Sequence, residues 1–335
     1  MNSNEYLSLR HGAGFTGRTD RGWIVVTGED RAQYLQGLLT NDVMALGDGA
    51  GCYAAYLTPQ GRMIADLHVL NIGDRILLDV DGSVRAKLVS RFEALVFTED
   101  VRVTDLTESW MSYGVHGPGA PSVVGVAVAR NELRDLTLYQ SQRVPFLDTT
   151  VLVTRTDELG VIGYALFVDR HAGLALRERL IAARVVEVTE TALEVVRVEA
   201  GRPAFPIDID EQTIPLEVGI EDRAISFEKG CYVGQEVIVR ILHRGQGRVA
   251  QKLVGLKLGQ AGTPAAVPQR DALVWRADGK VGRVTSAVLS PSLRTPIALA
   301  YVVRELAETG TRVEVTAGNG RAGAVVSALP FVDCE

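Results

Sequence analysis

Residues 229–236 read KGCYVGQE, a lysine, a thiol, two glycines and a Gln–Glu pair inside one octapeptide. If the stretch is extended, Lys229, Cys231 and Val233 face one side while Gly230, Tyr232 and Gly234 face the other. A lysine beside a thiol favours the thiolate, the form that attacks electrophiles and binds metals. The residue types leave three readings of Cys231 open: nucleophile, single metal ligand, or small buried thiol. His243 is the nearest histidine in sequence, and no Cys–His pair can be read from it.

Two acids stand out for different reasons. Asp66 lies between Ala65 and Leu67 in the apolar run IADLHVL. A carboxylate there is costly unless it is paired or used, and Arg62 or a solvent-facing edge would be the bland alternatives. Glu199 falls near the end of a helix that Thr191-Ala-Leu-Glu194 opens with capping-box spacing and that Gly201 and Pro203 close. The helix dipole opposes a carboxylate at that end, so Glu199 needs another reason to be there. The loop that follows carries Arg202, Asp208, Asp210, Glu211 and Glu217, stiffened by Pro203, Pro206 and Pro215. A rigid acidic loop suits a ligand with several N–H donors, and equally suits a solvated surface.

Elements to position these groups follow from periodicity. Apolar stripes predict helices over 30–41, 83–96 and 169–184, besides the one beginning near Thr191. Asn41, in LLTNDV, can close the first of them in a left-handed cap. Strand-like runs are Gly22–Val26, Gly51–Leu57, Ile64–Asn71, Arg75–Asp79, Val101–Asp105, Met111–Val115, Val151–Arg155 and Val161–Val168. Pro59-Gln60-Gly61 turns the second into the third, and Tyr53 and Tyr56 fall on opposite faces of a regular strand. GPGAPSV, near 117–123, reads as a turn. Strands and helices without a βαβ cadence indicate an α+β region. Beyond about residue 248, short strands between Gly, Pro and Asp predict an all-β barrel or sandwich, with GQAGTPAAVPQRD as its softest loop. The boundary falls in RILHRGQGRVA, dividing the chain into 1–245, two intertwined α+β domains, and 246–335. No internal repeat is visible.

The bulk composition narrows the class. With 335 residues, 47% hydrophobic and 23% charged, the chain reads as an ordinary globular protein of two or three domains. A net charge of −6 argues against general nucleic-acid binding. No apolar run approaches a membrane span and no secretory leader is visible, so a cytoplasmic protein is expected. Cys52, Cys231 and Cys334 make neither a disulfide framework nor a structural zinc site. With no heptad or apolar seam left over, a monomer is expected.

In order along the chain, LQGLLTND, YLTPQGRMIADL, VEAGRPAF, TIPLE, KGCYVGQE and VGRVTSAVLSPSLRTPIALAYV resemble the folate-binding YgfZ family, relatives of the glycine-cleavage T-protein (aminomethyltransferase). The octapeptide carries the specificity, and the other blocks belong to the wider superfamily. The resemblance implies a T-protein-like ring of three domains around a tetrahydrofolate pocket, and a role in assembling or repairing iron–sulfur clusters, with client or assembly proteins as partners. It makes Cys231 the working thiol with Lys229 tuning it. It gives Glu199 the part of the acid that holds the pterin, and offers Tyr53 and Tyr56 as walls and Arg223 and Arg240 for the anionic glutamate tail. T-proteins commonly carry two aspartates where this chain reads Ala65-Asp66, and they lack the octapeptide. One superfamily aspartate is tied to aminomethyl transfer, which makes Asp66 a catalytic candidate. The alternatives are therefore a folate-dependent aminomethyltransferase and a non-catalytic folate sensor or scaffold.

Overall fold

The computed structural model describes residues 3–130, 132–243, 245, 247–259 and 265–333. Cys334 and part of the GQAGTPAAVPQRD loop lie outside the described residues.

Helix α1 (Ser3–His11) and strand β1 (Gly14–Gly17) precede two units of like order. The first runs β2 (Arg21–Thr27), α2 (Arg31–Leu38), β3 (Gly51–Leu57), β4 (Met63–Asn71), β5 (Ile76–Asp81), α3 (Arg85–Ala94) and β6 (Arg102–Asp105). The second runs β7 (Trp110–His116), α4 (Ala120–Ala127), β8 (Ser141–Phe146), β9 (Thr149–Thr156), β10 (Gly163–Asp169), α5 (Arg170–Ala182) and β11 (Val186–Glu187). Each spells strand, helix, three strands, helix, strand. Their sheets follow the matching orders β3-β4-β5-β2-β6 and β8-β9-β10-β7-β1-β11, with β1 inserted into the second. The repeat is one of architecture, and the side chains hide it.

Helix α6 (Glu190–Glu199) follows, then the short helices α7 (Pro215–Val218) and α8 (Glu221–Ala224), and α9 (Gln235–His243). Strands β12 (Gln251–Leu258), β13 (Leu273–Arg276), β14 (Gly279–Ser290), β15 (Thr295–Val303), β16 (Arg312–Ala317) and β17 (Gly320–Ser327) close a barrel in the order β12-β15-β14-β13-β16-β17. Alternation is plain on its outer strands: β16 buries Val313 and Val315 and exposes Arg312, Glu314 and Thr316.

In the first sheet both faces are covered. Every residue of β4 from Met63 to Leu70 is buried, so its apolar run shows no alternation. One face packs on α3, where Phe92 is fully buried and its ring centroid lies 5.2 Å from that of Tyr56. Burying such a ring contributes about 2–3 kcal/mol. Tyr56 thus belongs to the core, which corrects its assignment to a ligand wall. Two segments also depart from local expectation. After the Gly117 turn, Ala120 starts α4 with Pro121 in its first turn. KGCYVGQE is not extended either, because Gln235 opens α9.

Candidate active site

The other face of the first sheet looks into a cavity of about 1330 Å³. Tyr53 and Asp66 of that sheet, His116 and Glu158 of the second unit, and Ser290 and Arg294 of the barrel all line it. Three bodies therefore surround one space, as a ring does.

Register explains what faces inward. Tyr53 pairs with His68, Ala55 with Asp66, and His68 with Asp79. The residues of one strand face alternate every second position, so Asp66 and His68 share a face while Ala65 turns to the opposite one. Diagonally across the pair, the Tyr53 hydroxyl donates to Asp66 Oδ2 at 2.7 Å. Burial pushes the Asp66 carboxyl above its ordinary value, while the Tyr53 hydroxyl and the charges of Arg21 and His68 pull it back. A carboxyl raised in this way can hold or release a proton nearer neutrality than an exposed aspartate.

Beside Asp66 lies an ion-pair network. Arg18 Nη2 donates to Asp79 Oδ2 at 2.7 Å and to Glu158 Oε1 at 2.5 Å, and Arg21 Nε reaches Asp79 Oδ1 at 3.0 Å. Burial works to raise the Asp79 carboxyl, but the two guanidiniums hold it well below the usual carboxylate range. His68 Nδ1 faces the same two acids at 3.6 and 3.5 Å. These three side chains could in principle hold a cation. Arg18 bridges both carboxylates, however, and supplies the positive charge itself.

Two ring nitrogens in this wall, His68 Nδ1 and His116 Nδ1, are buried without a hydrogen-bond partner. Burial pushes His116 down to about 4, which leaves it neutral at physiological pH.

Several expected positions are revised. Glu199 is fully buried and does not line the cavity. Tyr6 donates to its Oε2 at 2.8 Å, Arg10 pairs with the same oxygen, and the Ser290 hydroxyl binds Oε1. Those donors are the further reason for an acid at this helix end, and they leave it none to offer a ligand. The acids that α6 does present to the cavity are Glu190 and Glu194, the second held by Arg197 at 2.6 and 2.8 Å.

Arg240 is exposed on α9, away from the cavity lining. Arg223 does line it, with its guanidinium carbon 5.1 Å from the Tyr53 ring centroid. Its charge is met by Asp157 at 3.0 Å.

Lys229 does not serve Cys231. Its ammonium is buried and donates to the carbonyls of Gln36, Leu39 and Asn41 at 2.6, 2.6 and 3.0 Å. These are unpaired carbonyls at the end of α2, where a cation is favoured. Burial pushes the lysine down to about 8, opposed by the nearby Asp42 and Cys52. The thiol it is coupled to is thus Cys52, which burial pushes up to about 12. Cys231 is exposed on the surface of the loop. Gly234, at φ +85°, pins the loop: a Cβ there would lie 2.5 Å from the carbonyl oxygen of Thr58 in the β3–β4 turn.

Polar residues in apolar strands mark more of this wall than Asp66. The same sign is carried by His68 in β4 and by Asp79 and Asp81 in ILLDVD. Arg18, His116 and Glu158 carry no comparable local mark, because they act from loops and strand ends.

Comparison with known proteins agrees with this architecture. Residues 1–229 match the GCVT N-terminal domain, and residues 251–333 match the glycine cleavage T-protein C-terminal barrel domain. The chain is 31% identical over 311 residues to an aminomethyltransferase of Rubrobacter xylanophilus, spanning 90% of this chain and 79% of that one. It is 29% identical over 340 residues to an aminomethyltransferase of a Nostoc species, spanning 98% and 87%. The fold is also that of the crystal structure of glycine cleavage system aminomethyltransferase T from Bartonella henselae, at TM-score 0.89, 24% identity, and 99% and 90% coverage. The chain belongs to the glycine cleavage T-protein family.

Proposed function

We propose that this protein binds tetrahydrofolate in the three-body cavity and carries out folate-dependent one-carbon transfer of the aminomethyltransferase type. The observation that supports this best is the placement of Asp66, a buried carboxyl with raised proton affinity that looks into the cavity beside Tyr53. The relatives named above are aminomethyltransferases.

The residues fit the ligand class. The cavity exceeds the few hundred Å³ that a small-molecule site requires. Phe205, Pro206 and Leu159 offer apolar walls for an aromatic ligand. Asp66 offers a polar contact for a ring edge rich in nitrogen. Tetrahydrofolate, when bound, supplies the nitrogen that accepts the one-carbon unit. Within the chain, Tyr53 orients Asp66 through its hydrogen bond, and Asp66 holds or takes a proton. Arg223 braces Tyr53 from its open face.

A second reading is supported by the octapeptide. Cys231 is exposed on a loop fixed by Lys229 on one side and Gly234 on the other. That suits a tetrahydrofolate-binding accessory protein for iron–sulfur cluster synthesis or repair, with Cys231 as the working thiol.

One experiment separates the two. Conversion of tetrahydrofolate to its methylene form is measured with amine donors, in parallel with iron–sulfur enzyme activity in cells lacking the native copy. On the transferase reading, Asp66→Asn lowers turnover about 10²–10³-fold while Cys231→Ser leaves it within twofold. Absence of turnover with every donor, together with loss of iron–sulfur activity in Cys231→Ser, would replace the first reading by the second.

A further inference from the structure

Six arginines line the cavity: Arg18, Arg21, Arg197, Arg202, Arg223 and Arg294. Five are ion-paired with a carboxylate. Arg18 and Arg21 meet Asp79, Arg197 meets Asp208, and Arg202 and Arg223 share the two oxygens of Asp157. Among the described residues Arg294 is the exception. It is exposed, and its guanidinium has no hydrogen bond, ion pair or ring contact.

The backbone beneath it is well held. Arg294 ends the turn between β14 and β15 at φ +54°, and its amide donates to the Ser290 carbonyl at 2.8 Å. The Ser290 hydroxyl accepts the Leu293 amide at 3.0 Å and donates to the buried Glu199. A non-glycine residue in the left-handed region costs free energy unless its surroundings fix it. Here the turn is tied to the closing contact of the ring, so the arginine stem starts from a fixed point on the barrel rim. Asp20 and Glu190 line the same cavity and repel an anion placed near them.

We propose that Arg294 is the anchor for the anionic end of the cavity's ligand. On the folate reading, on which this rests, that end is the glutamate tail. The paired arginines are less available to it, since each already donates to a carboxylate. A guanidinium can bind a carboxylate through two parallel N–H donors, so a lysine would keep the charge and lose the fork.

Isothermal titration tests this with three ligands: tetrahydropteroate, which lacks glutamate, and the mono- and triglutamate forms of tetrahydrofolate. The wild type should bind the glutamylated forms about tenfold more tightly at low salt, with the ratio shrinking as salt rises. Arg294→Gln should bring that ratio to within twofold while leaving tetrahydropteroate affinity unchanged, and Arg294→Lys should keep part of it. Equal affinity of the wild type for all three ligands, or an unchanged ratio in Arg294→Gln, overturns the role of Arg294 and leaves folate binding intact. No binding of any of the three by the wild type overturns the folate reading, and this inference with it.

Discussion

Asp66 and Glu199 are both buried carboxylates, yet the regions around them differ in one respect. In the seam between α1, α6 and the barrel, Glu199 meets Tyr6, Arg10 and Ser290, so both its oxygens are satisfied. On the cavity face, Asp66 has one hydroxyl donor on Oδ2 and lies among groups whose own hydrogen-bonding capacity is unfilled. Burial alone therefore does not mark a working acid. The count of partners does, because a fully matched group has nothing left to exchange with a ligand.

Removing a partner from the sealed region should have the largest effect. Glu199→Ala leaves Arg10 without that carboxylate and opens the seam. A loss of about 3–5 kcal/mol in chemical denaturation is expected. A loss under 1 kcal/mol would show that the seam is not what closes the ring.

Lys229 extends the comparison, since its ammonium is also matched inward. Lys229→Met strands three carbonyls at the end of α2 and should lower stability by roughly 2–3 kcal/mol. Cys231 labelling rates with an alkylating reagent should change only as far as the loop loosens. A large fall in labelling without loss of stability would restore a direct link between lysine and thiol.

The smallest effect has the opposite sign. The folded state raises the Asp66 carboxyl above its ordinary value, so its contribution to stability is present below about pH 4 and is lost as pH rises. Asp66→Asn should match wild type near pH 4 and be the more stable of the two at pH 7–8, as measured by chemical denaturation. A variant less stable than wild type at pH 8 would place Asp66 among the matched, structural groups.

Much of the frame was legible. The helices in 83–96 and 169–184, strand β3 at Gly51–Leu57 and the C-terminal barrel follow from periodicity and turn residues. Asp66 was legible too, as a charge in an apolar strand. The choice between Tyr53 and Tyr56 was not, because β3 is buried on both faces from Tyr53 onward and alternation cannot say which face is the cavity. Glu199 showed that it needed a partner, but not which one, since Arg10 lies 189 residues away in sequence. Lys229 was misplaced by a local assumption, for an extended octapeptide is incompatible with α9 starting at Gln235. The repeated sheet order left no trace in the residues, because the second unit covers its sheet with different side chains.

The seam at Glu199 also has a consequence in time. Tyr6 and Arg10 leave the ribosome long before Ser290, whose hydroxyl completes the contact to the Glu199 carboxylate, and Phe331, whose amide donates to the Glu199 backbone carbonyl. Until the barrel is made, α1 and α6 can meet but the ring cannot shut, and the cavity wall stays open to solvent. The two sheet units are thus synthesised as an incomplete vessel that only the final strands can seal.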